Sequence, residues 1–599
     1  MKAYINNREY DFEEGESILT VARRNGIFIP SLCRYEPLHH TPATCRVCLV
    51  RVTDDAGSRM VTSCDTALKE NMRVDTFSKQ VRDAQRMQVE MILADHHQDC
   101  ASCARHGDCE LQDLSEAVGL TRNRFATALQ KPAASRLVDT TANAMVRDMT
   151  KCIRCLRCVQ VCRAIQGVAA LTVDGKGLGS YIGVGMAADH HSSACIQCGQ
   201  CTLVCPTGAL AERDQNDTVL DYLADPEVKT VFSFAPSVRV LMGDEFGFAP
   251  GSNVEGKIVA ALRAIGADVI LDTNFSADVV IMEEGHELLA RVTGGGKLPM
   301  FTSCCPGWIN YAEKHIPEIL PYISTTRSPQ GVQGALVKTY LADQMSLDPR
   351  KIKNISIMPC IAKKDEAARE QLSQNGVPDN DVVISVREFS RLLRRMGVDL
   401  RNIPPEPFDN PFMSASTGAA AIFGTTGGVM EAAVRTVYAV LNKRELQFIK
   451  TAPLRGFEGV RTADIDLGPT VGSVKLAICH GLRNAHRLAE EVLRGESPYT
   501  FIEVMACPGG CIDGGGTSLI KGQYHLGKLR RQRALYDLDS VMTYRQSHNN
   551  PQIKALYANY LEKPNSVQAH HLLHTRYVDR REQQSQSIQE NMRKLTLTE

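Results

Sequence analysis

Residues 499–511 read YTFIEVMACPGGC, an apolar run that ends in Cys507, a proline and two glycines, and then Cys511. Residues 354–360, NISIMPC, repeat the device with Cys360. Strands that each deliver a cysteine at their end suit an α/β fold whose site lies beyond the carboxyl ends of its strands. The flanking sequence agrees. GKIVAALRAIGADVILD, from Gly256, reads as an amphipathic helix ended by Gly266 and followed by a strand, and VVISVREFSRLLRRMGVDL, from Val382, as a strand feeding a helix closed by Gly397. A third string, TSCCPGW at residues 302–308, adds Cys304 and Cys305. The three strings supply Cys305, Cys360, Cys507 and Cys511 as candidate cluster ligands, with Cys304 as one thiol more than ligation needs. Four cysteines alone say only that iron and sulfur are bound.

With 599 residues the chain has room for roughly four domains of about 150 residues. Lys plus Arg and Asp plus Glu both number 68, so charge points to neither nucleic acid nor an anionic membrane. The opening MKAYINNREYDFEEGES lacks the apolar core of a signal peptide, and Arg23 and Arg24 are followed by Asn25 and Gly26, which reads as a helix end. No long apolar run suggests a membrane span, and we expect a cytoplasmic protein. In that compartment 21 cysteines are unlikely as disulfides and point to metal ligation. All fall into groups except Cys479, in SVKLAICHG, which reads as a buried strand residue. Its neighbour His480 would point to the opposite face.

The N-terminal third carries four such groups. After a hairpin-like AYINNREYDF and a short helix at residues 18–25 come Cys33, Cys45, Cys48 and Cys64, the compact CRVC pair with one ligand on each side. This suits a [2Fe-2S] cluster, with zinc as the alternative. Next, HHQDCASCARHGDC offers His96, Cys100, Cys103 and Cys109, with His97 as a competing ligand; one histidine and three cysteines also match structural zinc. Residues 126–145, rich in Ala and Thr, look like a connector. Two CxxCxxCxxxC runs then follow, Cys152, Cys155, Cys158, Cys162 and Cys195, Cys198, Cys201, Cys205. In such ferredoxin repeats the fourth cysteine serves the other cluster, so Cys205 joins Cys152, Cys155 and Cys158, while Cys162 joins Cys195, Cys198 and Cys201. Arg163 stands where proline is usual, without changing the ligand count.

On the three catalytic strings the chain resembles the [FeFe]-hydrogenases, and its first two cluster groups are similar to those of that family and of the large iron–sulfur subunit of respiratory complex I. The resemblance implies a multidomain α+β and α/β protein: a β-grasp [2Fe-2S] domain at 1–78, a His/Cys3 [4Fe-4S] module at 79–125, a 2[4Fe-4S] ferredoxin domain at 126–224, a two-lobed α/β catalytic domain at 225–517, and a helical, small-subunit-like segment with a charged tail at 518–599. It further implies an H-cluster, a [4Fe-4S] cube joined through Cys511 to a two-iron centre with CO and CN ligands, for the reversible reaction 2 H+ + 2 e− = H2. By motif position Lys363 and Ser237 would donate to the cyanides, Gln330 would sit near the distal iron, and Met358 and Met505 would pack on the irons. Cys304, Glu284, Ser324, Glu287 and Arg291 would relay protons to the surface. The glycines of PGGCIDGGG remove bulk near a large cofactor, while Asp513 has no assigned role.

No dinucleotide or flavin fingerprint is present, and GGGK at residues 294–297 lacks phosphate-loop spacing. Flavin and NAD(P) chemistry is therefore expected in partner subunits. The complex I-like half favours the catalytic subunit of an NAD(P)-linked complex, electron-bifurcating as one variant, with flavin/NAD(P)-binding and ferredoxin-type partners. A stand-alone enzyme using soluble ferredoxin and a formate-linked assembly are alternatives. A dedicated maturation machinery is implied. A hydrogen sensor and a non-catalytic iron–sulfur protein are the readings from other classes.

Overall fold

The computed structural model describes residues 1–38, 42–125, 138–446, 451–518, 520, 524–583 and 585–586. At the N-terminus Lys2–Ile5 and Arg8–Asp11 form the expected hairpin, and Lys2–Ile5 also pairs in parallel with Arg73–Asp75 in a five-stranded sheet. The helix Ile18–Arg24, capped by Ser17 Oγ accepting from Thr20 N at 3.2 Å, closes that sheet over Ile5, Val50 and Val52. Its C-terminal Arg24 pairs with Glu16 at 2.6 Å, so the arginine pair does end a helix.

The two cysteine runs fold alike. Each run turns into a helix, Arg157–Ala164 or Gln200–Val204, through a left-handed residue, Leu156 at φ +63° and Gly199 at φ +76°. The residues two positions earlier, Arg154 and Gln197, are also left-handed, at +53° and +55°. Three non-glycine residues held there mark a loop whose shape outweighs local preference. The connector reading holds only in part. Residues 126–137 lie outside those described, whereas Val138–Asp139 and Met145–Asp148 are strands that pair antiparallel, the second also with Leu210–Glu212.

Two sheets build the catalytic region. One is parallel, in the order Val269–Asp272, Lys229–Phe234, Ile352–Met358, Val382–Ser385. The other runs Met300–Phe301, Phe501–Met505, Ser473–His480, Val460–Asp466, with the last pair antiparallel. Gly266 at φ +93° and Gly397 at φ +72° follow their helices as expected. Cys479 is fully buried on its strand. The C-terminal segment is less continuous than its sequence suggests. The helix Tyr524–Val541 stops, and a new one begins at Pro551–Leu556, where Asn550 caps and proline takes the first position. After the helix Val567–Leu573 the chain is extended, Thr575 N donating to Thr325 O at 2.8 Å. The start of the tail lies on the catalytic region, Arg581 pairing with Glu318 at 2.6 Å; residues 584 and 587–599 lie outside those described.

Buried polar contacts lock the modules together. Arg157 binds Glu110 through two bonds of 2.8 and 2.9 Å, and Arg387 binds Glu212 at 2.6 Å. Asp365 accepts from Asn143, Gln197 and Asn310, the first two from the ferredoxin region. Removing one member of such a set strands the rest without water. The triple glycine serves this packing more than cofactor clearance, since a Cβ on Gly514 would stand 2.3 Å from Pro359 O and one on Gly515 2.6 Å from Gly199 Cα. Gly515→Ala should therefore cost about 1–3 kcal/mol, read as a lower midpoint in anaerobic denaturant unfolding. An unchanged midpoint would mean that the two loops do not touch.

Candidate active site

All three strings converge. Cys305 precedes the helix Pro306–His315, Cys360 lies two residues beyond Ile352–Met358, Cys507 two beyond Phe501–Met505, and Cys511 opens a single 3-10 turn. They line one cavity of about 710 Å³ between the sheets, together with Cys304, Ser237, Gln330, Met358, Lys363, Met505 and Thr273. Gly510 is the glycine of the PGGC string on that wall, at φ +88°.

The donor set fits a metal cluster. Burial pushes Cys360 and Cys511 up to about 12 and raises Cys305 and Cys507 as bare thiols. Sulfurs so placed ionise only against a bound cation. Ser237 Oγ, Thr273 Oγ1 and Gln330 Oε1 are buried on the cavity wall without a partner among the described residues. Such orphans call for a ligand. Lys363 Nζ donates to Ser328 Oγ at 2.7 Å, Glu366 Oε2 at 2.8 Å and Cys304 O at 3.3 Å, and Gln330 Nε2 donates to Lys363 O at 3.1 Å.

The relay residues also meet. The helix Thr273–Gly294 carries Glu284, Glu287 and Arg291 on one face, as their spacing requires. That face is no solvated salt-bridge surface, because Glu284 is fully buried. Glu284 accepts from Ser303 N at 3.3 Å, Ser324 Oγ donates to Glu287 at 2.7 Å, and Arg291 pairs with Glu287 at 2.6 Å. Burial, then the charge of Glu287, raises Glu284 to about 8. Burial and the charge of Glu284 also hold the Cys304 thiol well above its ordinary value.

The accessory groups assemble as well. Cys33 and Cys45 Sγ lie 3.4 Å apart, with Cys64 in contact with Cys33 and Cys48. His96, Cys100, Cys103 and Cys109 share a cavity of about 740 Å³. His96 Nδ1 is bonded to Lys151 O at 3.0 Å, which assigns any ligation to Nε2. His97 lines the same cavity, with its side chain 62% exposed. Cys162 shares a cavity with Cys195, Cys198 and Cys201, while Cys205 acts electrostatically on Cys155 and Cys158 beside Cys152. Gly307, beside Cys305, has Cys198 Cβ 3.5 Å from where its own Cβ would stand.

Several residues escaped the sequence. Glu366 and Ser328 grip Lys363, and Thr273 lines the cavity at the head of its helix. Asp513, buried, accepts from Tyr524 Oη, with Lys528 Nζ 3.7 Å away. Only Glu366, three residues past Lys363 on one helix, left a readable signal.

Fold and site together define a redox enzyme built on iron–sulfur clusters. The chain matches the iron only hydrogenase large subunit, C-terminal domain, over residues 228–515 and the iron hydrogenase small subunit over 527–580. It also matches a 2Fe-2S iron–sulfur cluster binding domain over 1–79, the NADH-ubiquinone oxidoreductase-G iron–sulfur binding region over 85–124 and a 4Fe-4S dicluster domain over 141–209. It is 40% identical to the NADP-reducing hydrogenase subunit HndD of Solidesulfovibrio fructosivorans, across 96% of this chain and 98% of that protein. Iron hydrogenase 1 of Clostridium pasteurianum is 35% identical, across 96% and 99%. The solved [FeFe]-hydrogenase HydA1 of Chlamydomonas reinhardtii superposes with a TM-score of 0.55 at 36% identity, covering 61% of this chain and 98% of that one. The chain belongs to the [FeFe]-hydrogenases. It is an oxidoreductase that interconverts protons, electrons and H2.

Because Glu284 sits at about 8 against an ordinary 4.5, ionising it costs stability. The penalty is absent below about pH 4.5, grows as pH rises and levels off above about 8. Unfolding of Glu284→Gln should lack this slope, the wild type losing on the order of a few kcal/mol relative to it across that window. Parallel pH profiles would refute the assignment.

Proposed function

We propose that Cys305, Cys360, Cys507 and Cys511 hold the [4Fe-4S] cube of an H-cluster, with Cys511 as the sulfur shared with the two-iron centre. The convergence of these four on one cavity, with Cys304 beside them, carries the reading. When bound, the group supplies the metal chemistry of H2 formation and cleavage. The chain does the rest. Cys304 Sγ holds a proton at the cavity wall, and Glu284, Ser324, Glu287 and Arg291 carry protons between it and the surface, in a sequence of groups whose environments differ enough to pass one at neutral pH. With the group bound, Ser237 Oγ and Lys363 Nζ would donate to its cyanides, Gln330 would lie near the two-iron centre, and Met358 and Met505 would pack against it.

Four accessory clusters would supply electron transfer: Cys33, Cys45, Cys48 and Cys64 of a β-grasp domain would hold a [2Fe-2S] cluster, His96, Cys100, Cys103 and Cys109 a [4Fe-4S] cluster, and the crossed ferredoxin ligands two cubanes. The divisions are those given above, at 1–78, 79–125, 126–224, 225–517 and 518–599. Flavin and NAD(P) sites then belong to partner subunits of a cytoplasmic NAD(P)-linked complex, a reading supported by the full-length likeness to a subunit of an NADP-reducing hydrogenase. A stand-alone enzyme using soluble ferredoxin is the competitor. Co-purification of untagged partners, with NADH, NADPH and reduced ferredoxin assayed separately and together, decides between them.

Two substitutions test the site. Cys304→Ala should keep the infrared bands of the iron-bound diatomics and lose most turnover; full activity would remove Cys304 from the relay. Cys511→Ser should lose those bands while accessory clusters persist, and unchanged CO bands would exclude it as the shared sulfur.

A further inference from the structure

His190 is a buried imidazole that the relay and the ligand sets leave unused. It precedes the second cysteine run and is 1% exposed. Its backbone is pinned on both sides, its N–H donating to Asp139 Oδ2 at 3.0 Å and its carbonyl accepting from Ser193 Oγ at 2.8 Å. Asp139 is itself fixed by Arg147 at 3.2 Å. Lys314 reaches into the same loop, donating to Ser193 O at 3.0 Å and Cys195 O at 2.7 Å. The ring is thus held in place, yet neither Nδ1 nor Nε2 has a partner among the described residues. An imidazole always carries at least one N–H, and a buried donor left unsatisfied is rare enough to require an explanation.

The surroundings supply one. His190 lines a cavity of about 340 Å³ together with Cys162, Cys195, Cys198 and Cys201. Gln166 and Gln200 line it too, but their amide N–H groups are committed, to Ala506 O at 2.8 Å and to Asp513 O at 2.9 Å. Each of these amide nitrogens has an acceptor, whereas neither ring nitrogen of His190 has a partner among the described residues. We propose that His190 donates a ring N–H to a sulfide of the cubane held by these four cysteines and raises that cubane's reduction potential. The inference rests on the ligand assignment proposed above. A hydrogen bond to cluster sulfur favours the more negative, reduced state, which moves the potential upward. The station concerned adjoins the catalytic site, since Cys198 packs against Gly307 next to Cys305. His190 would act as a positioning residue that sets how readily the last cubane keeps an electron.

The test uses the full chain loaded anaerobically with its accessory clusters and titrated under EPR. His190→Phe should retain the iron content and the cubane signal while the midpoint potential of one ferredoxin cubane shifts to more negative values. His190→Gln, which restores an N–H, should return it toward the wild type. ENDOR in D2O should find one exchangeable proton coupled to that cubane in the wild type that His190→Phe lacks, beside those of the backbone N–H groups on the ligand sulfurs. An unchanged midpoint with the cubane retained would overturn the proposal. If His190→Phe fails to load, wild-type protein labelled with ¹⁵N-histidine decides, because a weak nitrogen coupling on the reduced cubane supports the bond and its absence refutes it. Cys195→Ala separates the two layers: if the cubane survives that change, the ligand assignment fails whatever His190 does.

Discussion

Four cysteine sulfurs gathered on one cavity between two sheets, two of them just past strand ends, are the constraint on which this molecule depends. As neutral thiols they would leave a large, mostly apolar cavity between the sheets without filling or charge. As thiolates without a cation they would be more costly still. A metal cluster resolves both demands, so folding of the catalytic region and loading of the site are coupled. The orphaned hydroxyls of Ser237 and Thr273 belong to the same logic, since a wall that carries unpaired polar atoms is shaped for a polar occupant.

The second requirement is closeness. Electrons must pass between stations that lie in different modules, and the modules meet through contacts with almost no slack. Gly199 faces Gly515 and Ile361, and Gly208 leaves Cys103 Sγ only 2.5 Å from where its Cβ would stand. Around these contacts Arg387, Glu212 and Asp365 form buried polar sets that fix relative position as much as they stabilise. Rigid placement of a chain of redox groups is thus written into glycines and ion pairs rather than into the ligands alone.

Much of this was legible in the sequence because its chemistry is local. Cysteine spacing named the groups, strand-like runs ending in Cys360 and Cys507 named the architecture, and a helical spacing of Glu284, Glu287 and Arg291 put three relay groups on one face. What stayed hidden depends on distant partners. Nothing near Asp513 announces Tyr524 and Lys528, nothing near Ser324 announces that Tyr577 Oη donates to its carbonyl at 2.9 Å, and nothing near His190 announces a cavity shared with Cys162. The triple glycine misled for a similar reason: its shape was readable, but the backbone it accommodates lies more than a hundred residues away. The burial of Glu284 was hidden too, since helical periodicity gives a face and cannot tell which element covers it.

The proposed function requires an organometallic iron pair tethered beside the cube. Infrared spectroscopy of the full chain, matured anaerobically and then followed for isotope exchange between D2 and water, addresses it most directly. Bands from iron-bound CO and CN together with D2/H+ exchange are predicted. A protein that carries its cubanes yet gives neither bands nor exchange would contradict it.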